Sequence, residues 1–95
     1  MPDTDTNIAN ASTLALRALG WALADEKRAE RLLALTGMTP DILRSAVNER
    51  STQAAILGFL EAHEPDLIAC AVAIDVNPEI LVAARQELDG GALEL

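Results

Sequence analysis

The sequence predicts an all-α protein, a compact bundle of about six short helices. Hydrophobic residues make up 51% of the 95 residues, and most are Ala and Leu, which are among the strongest helix formers. Tyr is absent, and Phe and Trp occur once each, so the aromatic residues that favour strands are scarce. Helix-start signals recur at short intervals along the chain, which is typical of short helices joined by tight turns.

Six helices are expected from capping residues, prolines and apolar periodicity. Their predicted ranges are 12–24, 26–36, 40–48, 51–63, 65–74 and 78–88. The predicted caps are Ser12 or Thr13, then Asp25, Thr39, Ser51 and Asn77, with Gly37 as a left-handed helix end. Residues 1–11 are expected to form a flexible acidic N-terminal segment, residues 12–88 a single helical domain, and residues 89–95 a C-terminal tail.

The fifth predicted helix differs from the others because it is apolar on every side. It contains the run from Leu67 to Ile74, which holds no polar or charged residue. A helix that is hydrophobic all round is normally buried all round, so this helix is expected at the centre of the bundle. The second helix carries five charged residues and is expected to be half solvated.

An internal repeat is indicated by a shift of 38 residues, for example from Leu19 to Leu57. The pseudo-repeats are residues 12–49 and 50–87, each a three-helix unit. Further identities at this shift are Gly20 and Gly58, Pro40 and Pro78, Ile42 and Ile80, and Leu43 and Leu81. Glycine inside a helix costs about 1 kcal/mol relative to Ala, so a close helix crossing is expected at both glycines.

The formal net charge of −8 disfavours partners that are themselves polyanions. Nucleic acids and anionic membrane surfaces are recognised through basic patches, so both are expected to be repelled. Cys70 is the sole cysteine, which excludes an internal disulfide and fits a reducing compartment. The polar start of the chain is unlike a signal peptide, and the longest apolar run is too short to span a bilayer. A cytoplasmic protein is expected.

No catalytic, metal or cofactor site is predicted. His63, Glu64 and Asp66 form the only cluster of His with acids, but Pro65 breaks it, and a metal site needs three or four ligands on one face. The two acids are explained by the positive N-terminal end of the fifth helix. Cys70 is expected to be buried and inert, since a reactive thiol needs exposure and a nearby cation. An enzyme is therefore not expected.

Two features leave a weaker alternative open, a nucleic-acid binder of the helix-turn-helix type. Lys27, Arg28 and Arg31 form a small basic patch, although interleaved acids make an ordinary solvated face the simpler interpretation. Residues 36–40 form a glycine-containing turn between two short helices, as in helix-turn-helix motifs. The side chains of the following helix that could touch bases are Arg44, Ser45 and Asn48.

Several segments resemble a known bacterial family. They are the Leu-Gly-Trp segment at 19–21, then 31–37, 39–44, 56–60 and 78–85. On these segments the chain resembles the family catalogued as domain of unknown function 3572, over roughly residues 13–88. The resemblance implies a short helical protein and brings no catalytic residues.

Apolar excess in a short chain predicts a non-catalytic interaction or regulatory module, with a protein partner or a second copy as ligand. The residues predicted to form its contact surface are Ile56, Leu60, Ile80, Leu81 and Val82. The alternative is a module that binds a small molecule in a groove between the two halves, near Trp21, His63 and Glu64.

Overall fold

A computed structural model describes residues 3–90, and these residues form six α-helices and no strand. The helices are α1 (Asp3–Leu23), α2 (Glu26–Thr36), α3 (Pro40–Ala46), α4 (Arg50–Glu61), α5 (Glu64–Ala73) and α6 (Pro78–Leu88). The all-α prediction is confirmed. Over the described residues no single helix is long and apolar enough to cross a membrane, whereas α5 and α6 meet that criterion only together, bent by 103°.

The core lies where α1, α4 and α6 meet, because each of these helices packs against the other two. α4 is the most enclosed, and it also contacts α2 and α5. Its buried side chains are Thr52, Gln53, Ala54, Ile56, Leu57, Phe59 and Leu60. The helix at the centre is therefore α4, and the helices around it each contribute one face.

The predicted start of the first helix is wrong. α1 begins at Asp3 rather than at Ser12 or Thr13, and the Thr13 hydroxyl donates to the carbonyl oxygen of Ala9 at 3.0 Å inside the helix. The cause is an alanine stripe that starts before Ser12. Its members, spaced by three or four residues and all buried, are Ala11, Ala15, Ala18 and Ala22. Packing of Ala11 therefore keeps the chain helical before Ser12, within the segment that was expected to be flexible.

The ends of α2 and α3 follow the predicted capping residues. The Asp25 carboxylate accepts a hydrogen bond from the backbone N–H of Arg28 at 3.2 Å, and Gly37 ends α2 with φ of 74°. The Thr39 hydroxyl accepts from the N–H of Ile42 at 3.1 Å, and Pro40 opens α3. These ends were predictable because each depends on residues within three positions of the cap.

Other boundaries differ by one or two residues. α4 is preceded by Glu49 instead of being capped by Ser51, and α5 starts at Glu64 after His63. Neither helix has a side-chain cap, and Asn77 before α6 also makes no capping hydrogen bond through its side chain. Of the tail predicted over 89–95, only Asp89 and Gly90 lie within the described residues.

The prediction that the fifth helix is buried all round is wrong. α5 buries Asp66, Cys70 and Ala71, while Val72 is 76% exposed and Ile68 is 47% exposed. The reason is geometric, since α4 already occupies the centre and a domain of this size has much surface for its volume. α2 buries only Leu32 fully, as its charged sequence predicted.

The close helix crossings expected at the two glycines are not found. A Cβ atom on Gly20 would meet nothing within 4 Å, and one on Gly58 would lie 3.9 Å from Cδ of Arg85, an ordinary contact. Helix ends do recur at the shift of 38 residues, for example the starts of α2 and α5. However, α1 is nine residues longer than α4, and α3 is four residues shorter than α6, so equivalence of the halves stays a prediction.

Arginine side chains join elements that are distant in sequence. Arg17 donates to the carbonyl oxygen of Ile74 at 2.7 Å, and Arg50 donates to that of Glu87 at 3.1 Å. Arg85 of α6 is hydrogen-bonded to Glu61 at the end of α4, which raises the pKa of its guanidinium above the ordinary value. These contacts tie the ends of helices whose middles are held by apolar packing.

Asp75 lies in the turn after α5 with φ of 62°. This left-handed backbone conformation costs free energy for every residue type except Gly. We expect Asp75→Gly to stabilise the protein by about 0.5 kcal/mol, since it relieves this cost and removes a carboxylate from the C-terminal end of α5. Urea unfolding followed by circular dichroism measures the change.

Gly37→Ala is the matched control, because its φ is also positive and a Cβ there would have open space. It should destabilise the protein by about 1 kcal/mol. Equal destabilisation by both substitutions would show that backbone conformation is not what limits the turn after α5.

Candidate functional site

The five residues predicted to form an apolar contact surface do not form one. Ile56, Leu60 and Leu81 are at most 1% exposed and belong to the core, so their assignment to a surface is wrong. Val82 is half-buried, and Ile80 alone is exposed. The error arises because α4 is central, so the flank that was expected to face solvent faces α1 and α6 instead.

An exposed apolar surface is present on α5. Ile68, Ala69, Val72 and Ala73 recur at helical spacing on the outer side of this helix, and all four are exposed. We call these four residues the α5 face. No charged residue lies between Leu67 and Ile74. A shallow groove at the end of α5 is lined by Val72, Val76 and Ile80 together with the polar Asp75 and Asn77, so the charge-free surface ends at this groove.

A groove of about 520 Å³ lies between α2 and α4 and ends at the start of α5. Its lining residues come in two sets with the same spacing along their helices, i, i+3 and i+4. They are Arg31, Ala34 and Leu35 from α2, and Phe59, Ala62 and His63 from α4 and the turn after it. We call this the Arg31 groove.

An ion pair holds the basic end of the Arg31 groove in place. Nη2 of Arg31 lies 2.5 Å from Oδ2 of Asp66, and the guanidinium carbon lies 6.0 Å from the centre of the Phe59 ring. Asp66 is buried in the first turn of α5, while the Arg31 side chain is 48% exposed. The buried carboxylate of Asp66 therefore positions Arg31 from the protein interior and leaves part of the guanidinium open to solvent.

The groove predicted near Trp21, His63 and Glu64 is only partly reproduced, because of these three residues only His63 lines the Arg31 groove. Trp21 lies at the corner between α1 and α2. There the guanidinium of Arg28 stacks 3.8 Å from the centre of the ring and Nη2 donates to the Trp21 carbonyl oxygen at 2.5 Å. Glu64 is exposed in the first turn of α5.

The basic patch predicted on α2 is divided among different contacts. Arg28 is bound to Trp21 and Asp25, whereas Arg31 is paired with Asp66. Lys27 is exposed. Arg44 and Ser45 of α3 and Asn48 in the turn after it are all exposed, and Arg44 lies 2.8 Å from Asp41. The helix-turn-helix interpretation stays a prediction, with much of its positive charge already paired.

His63 and its acidic neighbours build the start of α5. The backbone carbonyl of His63 accepts hydrogen bonds from the N–H groups of Asp66 and Leu67, at 2.9 and 3.2 Å. Glu64 and Asp66 lie in the first turn, where the helix dipole favours negative charge. Within residues 3–90, no group of three His, Cys, Asp or Glu side chains is placed to share a metal ion.

Cys70 is fully buried, as predicted, on the inner side of α5. Burial raises the pKa of its thiol from 9.0 to about 11, an effect that the positive charges of Arg28 and Arg17 partly oppose. The thiol is thus protonated at neutral pH. A protonated thiol without access to solvent is a poor nucleophile, which makes Cys70 part of the core.

No pattern in the sequence indicated the Arg31–Asp66 pair, whose members are 35 residues apart. The Arg31 groove had a partial signal, the shared spacing of its two sets of lining residues. The α5 face had a clear signal in the sequence, the charge-free run over residues 67–74. We interpreted that run as a helix buried in the core.

We expect Cys70 to react with a disulfide reagent at neutral pH only when the protein unfolds. The labelling rate should therefore rise with urea in parallel with loss of helicity. The folded state also keeps the thiol proton to higher pH than the unfolded chain, so stability from this group is full below pH 9 and is lost between about pH 9 and 11. Fast labelling without urea would contradict the buried position.

Comparison with known proteins identified one family. A search of curated protein sequences and a search of solved structures each found no match. The family model described as "Protein of unknown function (DUF3572)" matches residues 8–91, nearly the whole chain. The match includes all of α2 to α6 and therefore both the α5 face and the Arg31 groove. The chain belongs to the DUF3572 family.

Proposed function

We propose that this protein is a non-catalytic interaction module that associates through the α5 face with a second copy of itself. The observation that carries the proposal is the exposure of a helix without charged side chains over 67–74. Apolar side chains in such a patch gain free energy when they leave water, at roughly 25 cal/mol per Å². Contiguous exposed apolar patches on soluble proteins are typical of interaction sites.

Charge favours a second copy as the occupant of this face. The chain carries a net charge of −8, so two copies repel each other over most of their surfaces. The α5 face itself carries no carboxylate, because the exposed acids Glu64 and Asp75 lie at its two ends. Across a two-fold axis α5 would pack antiparallel to its counterpart, an isologous contact. Ala69 and Ala73 leave room for the two helices to approach closely.

The expected association is weak. One ten-residue helix and its neighbouring turn offer less area than the roughly 800 Å² per partner of a standard interface, so a dissociation constant on the order of micromolar is expected. Because like charges oppose the contact, added salt should strengthen it. This behaviour would be the reverse of that of an interface built on ion pairs.

We infer a regulatory or structural role without catalysis and a cytoplasmic location. A nucleic-acid partner is the weaker alternative, and it would use Lys27 and the exposed side chains of α3. Its signature would be binding that weakens with salt, opposite to the response expected for association through the α5 face.

Val72→Lys tests the proposal. Val72 is 76% exposed in the single chain, and Lys is a good helix former near a helix C-terminus, so the fold should be kept. The substitution places a charge in the middle of the proposed interface. In sedimentation velocity at several concentrations, the wild type should show a concentration-dependent dimer and the variant should stay monomeric.

Ile42→Lys on α3 is the matched control, since Ile42 is also exposed, at 52%, and lies on another helix. It introduces the same change in net charge and should dimerise like the wild type. A wild-type protein that stays monomeric at high concentration in high salt, or a Val72→Lys variant that still dimerises, would contradict the proposal.

A further inference from the structure

The Arg31 groove joins an apolar body to a polar end. Phe59 lies in the wall of the groove and is itself almost fully buried, while Leu35 on the opposite side is 59% exposed. Ala34 and Ala62 leave space between these larger side chains. The volume of about 520 Å³ lies within the range typical of sites for small molecules.

The polar end has hydrogen-bond donors that the fold does not use. Nη2 of Arg31 donates a hydrogen bond to Asp66, and within residues 3–90 the Nε and Nη1 groups of Arg31 donate to no acceptor. A guanidinium offers five N–H donors in a planar fork that matches a carboxylate. The His63 side chain also makes no capping hydrogen bond at the start of α5. Both side chains line the same groove.

The charges around the groove match a ligand with a single negative charge. Asp66 already offsets Arg31, and the exposed Glu64 follows directly after His63. A phosphate dianion would be repelled by these two carboxylates, whereas a carboxylate monoanion can accept charge-assisted hydrogen bonds from the remaining N–H groups of Arg31. The rest of such a ligand has to be apolar to lie against Phe59 and Leu35.

We propose that the Arg31 groove binds a small monocarboxylic acid with an apolar chain or ring, the class that includes medium-chain fatty acids. The carboxylate lies at Arg31 and His63, and the apolar part lies between α2 and α4 against Phe59. Asp66 acts as a positioning residue that holds the guanidinium at the groove. This site is separate from the α5 face and does not depend on dimer formation.

A second apolar groove, of about 440 Å³, lies between α1, α2 and α3 and is lined by leucines and Val47. Its only cation, Arg44, is paired with Asp41 at 2.8 Å. That ion pair is open to solvent, with side chains 74% and 91% exposed, and among the described residues no second polar side chain lines the groove. A buried carboxylate that positions the guanidinium, together with His63 as a second polar side chain, therefore distinguishes the Arg31 groove.

The proposal is tested by titrating ¹⁵N-labelled protein with octanoate and following the amide resonances. Octylamine and octanol are the matched probes, having the same chain with a positive or a neutral head group. Octanoate should shift the amides of Ala34, Leu35 and His63 in a saturable way. Octanol should bind at least several-fold more weakly and octylamine not at all, since only the carboxylate uses the donors of Arg31.

Ala34→Glu adds a carboxylate at an exposed position in the groove and should weaken octanoate binding at least tenfold. Ala83→Glu adds the same side chain at an exposed position on α6 and should leave binding unchanged. Arg31→Lys keeps the charge without the fork and should weaken binding several-fold, as should His63→Gln. Circular dichroism checks that each variant is folded.

Three results would overturn the proposal. They are the absence of saturable shifts with octanoate, equal binding of all three probes, and unchanged binding by Ala34→Glu. Repeating the titration with the Val72→Lys variant separates this site from the α5 face. If that variant is monomeric and still binds octanoate, the groove functions in the single chain, and loss of binding there would contradict a site independent of the dimer.

Discussion

The architecture depends on one constraint, the small interior that a chain of 95 residues can enclose. α4 lies at the centre of this interior, in contact with α1, α2, α5 and α6. The alanine stripe of α1 and the apolar side of α6 pack against each other as well as against α4. Alanine side chains allow this close approach, because they add little bulk and lose no rotamer freedom on burial. The remaining helices each keep a solvent-facing side.

This constraint explains why hydrophobic composition and burial disagree. Hydrophobic residues make up half of the chain, yet the enclosed centre has room for only part of them. The excess lies on exposed positions of every helix except α4, in side chains such as Leu23, Leu35 and Val72. Where these positions form a continuous charge-free surface, as on α5, the excess has a physical consequence, since covering that surface would be favourable.

Polar side chains make up for the small core by fixing the helix ends. Every arginine donates to an oxygen, either a carboxylate or a backbone carbonyl, and the pairs join helix ends or neighbouring turns. The six residues are Arg17, Arg28, Arg31, Arg44, Arg50 and Arg85. A chain with an excess of acids thus uses its cations largely for internal contacts. Arg31 also lines the groove between α2 and α4, where its remaining N–H groups are available to a ligand.

The sequence by itself determined the fold class and the local helix ends. Asp25, Gly37, Thr39 and Pro40 act through residues within one helical turn, so their roles were readable without tertiary information. The likeness to DUF3572 was also readable, because it depends on residue patterns alone. Cys70 was correctly expected in the core, since its helix had to bury at least one face.

Tertiary structure decided which helix is central and where the sites lie. The charge-free α5 and the mixed α4 both had the composition of a core helix, and only packing against α1 and α6 selected α4. The same packing keeps α1 helical before Ser12, because Ala11 is buried against the partner helices. The Arg31–Asp66 pair forms because the fold brings a residue of α2 to the start of α5. The two residues are 35 positions apart, and no local pattern connects them. Capping acts within a helical turn, whereas burial and ion pairing depend on how distant segments meet.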